Sequence, residues 1–87
     1  MHAVVVNVEV NDQEAATKGL EEEVIPMVKQ AQGLVGAYWI QLDDGMGTSV
    51  VVFETEEQAR NGAPERGSSG RGVTFTSVEI GEVIASL

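Results

Sequence analysis

The sequence contains no cysteine, and His2 is the only histidine among its 87 residues. The lack of cysteine excludes a disulfide framework, a thiolate metal site and a cysteine nucleophile. One histidine near the amino terminus supplies neither a metal site nor a catalytic triad. We therefore predict no metal site and no cofactor, and we expect a fold that does not depend on the redox state of its compartment.

Basic residues are also scarce, with five lysines and arginines against fourteen acidic residues and a formal net charge of −9. Such a chain is repelled by phosphate backbones and anionic lipids, which argues against nucleic-acid and membrane partners. Long apolar runs are missing as well, since Asn7 and Glu9 interrupt the amino-terminal stretch and no basic region precedes it. We expect neither a signal peptide nor an anchor, and we expect a cytoplasmic protein.

Two short apolar runs, at residues 3–6 and 50–53, are the strongest positive signal. Consecutive residues of a strand point to opposite faces of a sheet, so both faces of these strands are predicted to be buried. One layer of helices covers only one face. Because a chain of 9.2 kDa gains considerably from additional burial, a second copy of the chain is predicted to cover the other face.

The first half of the chain reads as a strand followed by a helix. Valines alternate over residues 2–10, which predicts the first strand. Asn11 and Glu14 have the spacing of a capping box, and apolar residues recur at helical spacing over 12–31. We expect this helix to bend near Pro26 and to stop at Gly33, with its acidic residues on a solvated face.

The second half reads as a hairpin, a short helix and a last strand. A strand is predicted at 34–42 and the core of the next strand at 49–54, joined by a turn at 43–47 that contains an Asp-Gly step. Thr55 and Gln58 form a second capping box, which opens a helix of about two turns. A glycine-rich loop follows at 62–72, and the last strand is predicted over 73–84, with a bulge or bend at Gly81.

This order, β-α-β-β-α-β, predicts an α+β fold of the ferredoxin-like kind, a four-stranded antiparallel sheet with both helices on one face. Residues 1–87 are predicted to form a single domain. The uncovered face is expected to pack against the same face of a second copy. Whether the fourth strand is exchanged between the copies is left open.

Three segments carry a resemblance to a known family: Glu-Val-Ile-Pro at 23–26, Gly-Leu-Val-Gly-Ala-Tyr at 33–38 and Val-Val-Val-Phe-Glu-Thr at 50–55. The chain resembles the dimeric α/β-barrel superfamily, and within it the small domains grouped with antibiotic-biosynthesis monooxygenases. Gln-Gly-Leu at 32–34 stands where members have a PGF-like step. The resemblance implies two sheets that face each other in a dimer, a cleft in each subunit and, in some members, cofactor-independent oxidation of polyketide-like phenols.

The haem-degrading branch of that superfamily shares one residue with this chain, an asparagine on the first strand, here Asn7. That branch also has a tryptophan and a histidine on its second helix, and residues 56–63 contain neither. Haem degradation is therefore disfavoured.

Three residues are candidates for ligand binding: Asn7, Trp39 and Gln41. The more apolar set of the second strand, which includes Tyr38 and Ile40, is predicted to face the helices, leaving Trp39 and Gln41 on the Asn7 side. A buried amide needs a hydrogen-bond partner, so these residues are expected to line a polar cleft. The alternatives are a satisfied interface asparagine at Asn7 and a dimer anchor at Trp39.

The loop at 62–72 contains Arg66 and Arg71, and Arg60 immediately precedes it in an otherwise acidic chain. One interpretation makes Arg66 and Arg71 part of a lid that attracts an anionic substrate over the cleft. The alternative is a plain connector. The short glycine-serine run lacks the strand and helix context of a phosphate-binding loop.

The sequence thus predicts a small homodimeric domain that binds an apolar or aromatic ligand, and the resemblance implies that the domain acts as a cofactor-independent monooxygenase on an aromatic or polyketide-like substrate. Two alternatives remain, a non-enzymatic small-molecule-binding or regulatory module of ferredoxin-like topology and a structural dimer without a ligand. No residue is assigned a catalytic role, because Tyr38 has no companion base and an unperturbed phenol titrates near pKa ~10.

Overall fold

A computed structural model describes residues 1–64 and 69–87 as an α+β domain built on one antiparallel sheet. Four long strands form the body of this sheet, in the spatial order β2-β3-β1-β5, and a two-residue strand, β4, pairs with β5 at one edge. No helix among the described residues is long and apolar enough to cross a membrane. The strands are β1 (His2–Val10), β2 (Leu34–Gln41), β3 (Met46–Phe53), β4 (Ser69–Gly70) and β5 (Val73–Glu82).

The first helical segment, residues 13–29, consists of α1 (Gln13–Gly19), a π-helical stretch (Leu20–Val24) and α2 (Ile25–Lys29). The predicted cap at Asn11 is wrong by one residue, because the Asp12 carboxylate accepts the Ala15 N–H at 3.1 Å. The sequence predicts a bend near Pro26, and the irregularity that the structure shows is the π-helical stretch, which ends two residues before this proline. Proline cannot donate a backbone hydrogen bond, and the helix accommodates this with the wider π-helical stretch.

The hairpin between β2 and β3 is confirmed. Asp44 and Gly45 adopt left-handed backbone angles, with φ of 63° and 73°, in a short 3₁₀ turn (Asp43–Gly45). The ladder continues up to this turn, where the Leu42 N–H donates to the Met46 carbonyl at 2.9 Å. The third strand therefore extends from its predicted core back to Met46.

The capping box at Thr55 is confirmed as well, and it opens α3 (Glu56–Gly62). The Gln58 N–H donates to the Thr55 hydroxyl, and the Thr55 N–H donates to the Gln58 side-chain carbonyl, both at 3.2 Å. Gly33, which was expected to stop the first helix, has φ of 79° but lies four residues beyond its end. A β-carbon at Gly33 would collide with the Gln58 side chain, so this turn packs directly on the start of α3.

The last strand differs from its predicted form in two respects. It ends at Glu82 rather than residue 84, and its bulge lies at Thr76, where the register against β1 shifts between Asn7 and Val8. Gly81 pairs regularly with Ala3. The predicted loop at 62–72 contains the short strand β4, and residues 65–68 lie outside the described part of the chain.

The tightly packed core lies under α3. Val4, Val6 and Phe53 of the sheet are buried against Ala59 of that helix. Helical segment 13–29, in contrast, contributes only Gly19 as a buried residue. An unfilled cleft remains between this segment and the sheet, and this cleft forms the candidate site.

Candidate functional site

A cleft of about 820 Å³ separates helical segment 13–29 from the sheet. Its floor is the sheet face that carries the even-numbered valines of β1, together with Trp39, Val51 and Phe75. Its roof is one face of the helical segment, including Ala16, Leu20, Val24, Met27 and Val28. Most of these side chains are apolar, so the cleft offers an apolar ligand a place out of water.

Small side chains keep the cleft open. Gly47 and Ser49 lie on the floor beside Val8 and Trp39, and Ala16 is on the roof. A β-carbon at Gly47 would lie 3.1 Å from Cγ2 of Val8, so the floor has little room for a side chain at that point. Larger residues at these positions would occupy the volume that a ligand needs.

Two carboxamides meet across one end of the cleft. The Gln13 Nε2 group, at the start of α1, donates to Gln41 Oε1, at the end of β2, over 2.6 Å. This hydrogen bond ties the helix to the outermost long strand of the sheet. Each carboxamide also has remaining donor or acceptor capacity, so the pair can offer either kind of hydrogen bond to a ligand.

An ion pair closes another side of the cleft. The Arg71 guanidinium, which follows β4, lies 3.1 Å from a Glu23 carboxylate oxygen and 3.6 Å from one of Glu22. Chiefly because of its hydrogen bond to Glu23, the pKa of Arg71 is raised above its ordinary value. A β-carbon at Gly19 would lie 3.0 Å from Cβ of Arg71, so a side chain at this position would require Arg71 to shift.

Backbone hydrogen bonds at Gly72, next to Arg71, also join this edge of the cleft to the start of α1. The Gly72 carbonyl accepts hydrogen bonds from the N–H groups of Asn11, at 2.7 Å, and Asp12, at 3.1 Å. Gly72 has φ of 72°, and a β-carbon there would lie 2.4 Å from the Asp12 carbonyl oxygen. The start of α1 and the turn before β5 are thus held together by backbone contacts that require glycine.

The structure brings Trp39 and Gln41 together but separates both from Asn7. Trp39 is opposite Ser49, and Ser49 is opposite Val6, so Trp39 shares the face of the cleft floor. Asn7 points to the other face, where its Nδ2 donates to the Ser77 hydroxyl at 2.9 Å. The prediction of a shared Asn7, Trp39 and Gln41 site is therefore wrong in its geometry.

The sequence-based prediction assigned the wrong face of β2 to the helices. The more apolar set was expected to face them, but the register places Tyr38 opposite Val50 and Ile40 opposite Thr48, on the uncovered face. Because side chains alternate, a shift of one residue exchanges the two faces of a strand. The register of β2 is set by its turn to β3 and by an irregularity between Leu34 and Gly36, which hydrophobicity alone does not show.

The uncovered face of the sheet has an apolar half, which we call the open face. It comprises residues of β1, β2 and β3, and two of its large side chains, Tyr38 and Ile40, are 69% and 46% exposed. Beside Ile40, the polar residues Thr48, Asn7 and Ser77 lie next to one another on the same side of the sheet. Its apolar members are Ala3, Val5, Tyr38, Ile40, Val50 and Val52.

The arginines predicted to form a lid have different positions. Arg71 lies at the edge of the cleft, whereas Arg66 lies outside the described residues. Arg60 is on α3 and binds Glu56 at 2.6 Å; this hydrogen bond is the main reason that the pKa of Glu56 is lowered. His2 lies 3.6 Å from the same carboxylate, away from the cleft.

Two cleft residues, Gln13 and Glu23, were not singled out from the sequence. They belong to the same helical face as Ala16 and Leu20, at spacings of three and four residues. Helical periodicity therefore places both residues on the helix face toward the sheet. It does not show that an unfilled cleft lies between this face and the sheet.

Comparison with protein-family models, with curated proteins and with solved structures finds no match for this chain. Within residues 1–64 and 69–87, no group of three or more histidine, aspartate or glutamate side chains is arranged to hold a metal ion.

Proposed function

We propose that this protein binds a small, largely apolar or aromatic molecule in the cleft between the sheet and helical segment 13–29. The observation that carries the proposal is a mostly apolar cleft of about 820 Å³ in a chain of 87 residues. Ligand sites commonly have volumes of ~300–1,000 Å³ and combine apolar walls with a few polar groups. The Gln13 and Gln41 carboxamides are such groups, and Trp39 supplies an aromatic surface for stacking.

We further propose that the protein is a homodimer joined through the open face. Exposed apolar side chains that lie together on one sheet face are typical of an interface. The strand order β2-β3-β1-β5 and the position of both helical segments on the other face support a ferredoxin-like topology. That topology is compatible with the resemblance to the dimeric α/β-barrel superfamily, in which two sheets face each other.

Ligand binding can be measured with 1-anilinonaphthalene, an uncharged aromatic probe that becomes fluorescent in apolar surroundings. Trp39 is the only tryptophan and lies on the cleft floor, so its fluorescence should fall as the probe binds. We expect Ala16→Leu to weaken binding by more than about tenfold, equivalent to ~1.4 kcal/mol. The same variant should increase the free energy of unfolding by about 1–2 kcal/mol, because leucine fills part of the apolar cleft.

Lys18→Leu is the matched control for this experiment. Lys18 is an exposed residue of the same helix outside the cleft lining, and it receives the same new side chain. Its affinity for the probe should remain within about twofold of the parent protein. Equal loss of binding in both variants, or no binding by the parent protein, would refute the assigned cleft.

The resemblance extends the proposal to cofactor-independent oxygenation of an aromatic or polyketide-like substrate in this cleft. In that reaction a substrate CH₂ group becomes a carbonyl; one oxygen atom of O₂ enters the product and the other leaves as water. The substrate carbanion supplies the electrons, and the protein orients it and stabilises its developing charge. The Gln13 and Gln41 carboxamides are the groups best placed for that second task.

An oxygen electrode distinguishes this activity from the non-enzymatic alternative. With an anthrone as substrate, the monooxygenase proposal predicts protein-dependent oxygen uptake, which Gln41→Leu should reduce by about tenfold or more. The variant Gln32→Leu, at an exposed position outside the main cleft, is the control. Probe binding without oxygen uptake would instead favour a binding or regulatory module.

A further inference from the structure

We infer that the cleft selects its ligand by charge, accepting an uncharged molecule and rejecting an anion of the same shape. The inference depends on the proposed ligand-binding function and narrows its ligand class. It is carried by the side chains at the edge of the cleft, where a carboxylate occupies the position in which a ligand anion would otherwise bind.

Arg71 is the only cationic side chain that lines the cleft among the described residues. Its guanidinium already binds Glu23 at 3.1 Å and lies 3.6 Å from Glu22. Two carboxylates thus surround one guanidinium, and this edge of the cleft has an excess of negative charge. An anionic ligand would have to displace Glu23 from Arg71 while approaching Glu22, and both changes are unfavourable.

The remaining polar side chains of the cleft also favour an uncharged ligand. It includes carboxamides and hydroxyls, which bind uncharged oxygen and nitrogen groups: Gln13, Thr17, Gln30, Gln41, Ser49 and Asn61. The net charge of −9 adds a long-range field that also opposes anions. The sequence suggested that Arg71 attracts an anionic substrate, but its two carboxylate partners argue for the opposite selectivity.

The test compares two probes built on one framework, uncharged 1-anilinonaphthalene and the anion 8-anilinonaphthalene-1-sulfonate. Both dissociation constants are measured by fluorescence titration at low ionic strength, and the readout is their ratio. We expect Glu22→Gln/Glu23→Gln to change the ratio of the two dissociation constants by about fivefold in favour of the sulfonate. Arg71→Gln should weaken sulfonate binding further, and added salt should reduce every difference.

A double variant away from the cleft, Glu54→Gln/Glu57→Gln, removes the same number of charges and serves as the control. Both positions are exposed and lie outside the cleft lining. The inference is supported if the ratio changes in the cleft-edge variants and stays within about twofold in the control. If both probes bind and the ratio is the same in all variants, charge selection is wrong while ligand binding stands; if neither probe binds, ligand binding fails.

Discussion

Replacing Tyr38 with aspartate is expected to convert the proposed homodimer to a monomer. Tyr38 is 69% exposed in the single chain and lies on the open face, beside Ile40 and Val50. In a dimer joined through this face, the substitution would place one carboxylate in each half of an apolar interface. The cost of removing these charges from water should weaken association by at least about a hundredfold, which corresponds to ~2.7 kcal/mol.

Light scattering coupled to size-exclusion chromatography measures this change, as a decrease from twice 9.2 kDa to 9.2 kDa. Gln32→Asp, at an exposed position away from the open face, adds the same negative charge and should leave the mass unchanged. Circular dichroism should show that Tyr38→Asp remains folded. A Tyr38→Asp protein that keeps the mass of a stable dimer would exclude the open face as the interface.

Replacing Phe53 with alanine is expected to produce the largest loss of stability of any substitution considered. Phe53 is 2% exposed and packs with Val4, Val6 and Ala59 in the core under α3. Gly62 lies so close that a β-carbon there would be 2.6 Å from Cζ of Phe53. Truncation leaves a cavity in a site with little freedom to collapse, and should lower the free energy of unfolding by about 3–5 kcal/mol.

Urea denaturation at a fixed protein concentration measures this loss, since dimerisation makes stability depend on concentration. Phe53→Leu retains most of the apolar volume and should cost only about 1 kcal/mol. A domain of this kind has a total stability of ~5–15 kcal/mol, so Phe53→Ala approaches the limit of folding. Equal and small effects of the two variants would show that the core under α3 does not determine the stability of the fold.

The two variants test opposite faces of the sheet: Tyr38→Asp tests the open face, and Phe53→Ala tests the face under α3. The sequence predicts Trp39 as a possible dimer anchor and predicts that both faces of the strand containing Val51 are buried, so both positions suggest themselves for disrupting the dimer. The register places both residues on the cleft side, where aspartate would disturb the fold and the cleft rather than the interface. Tyr38 and Phe53 provide a separate test of each face.

Several local features could be predicted because the residues that determine them are neighbours in the chain. The capping box of Thr55 and Gln58 and the Asp44-Gly45 turn depend on hydrogen bonds or backbone angles within four residues. The bulge at Thr76 was missed because it is set by pairing with β1, almost seventy residues away. Gly81 has the composition typical of a bulge, but its pairing with Ala3 is regular.

The candidate site was predictable only in part. Trp39 and Gln41 were singled out from the sequence and do line the cleft, but Asn7 does not, and Gln13 and Glu23 were missed. Composition indicates which side chains can recognise a ligand. It does not show that Gln13 meets Gln41 across 28 positions, or that Arg71 meets Glu23 across 48, because those contacts depend on how the elements pack.

The sequence by itself determined the α+β class, the approximate positions of the strands and helices and the acidic character of the surface. These properties follow from side-chain periodicity, local capping and charge, all of which act over short distances along the chain. Only the tertiary structure decided which face of β2 meets the helices and that helical segment 13–29 leaves a cleft above the sheet. Strand register and the separation of packed layers depend on contacts between distant residues, and alternation along a strand permits either face to be buried until those contacts form.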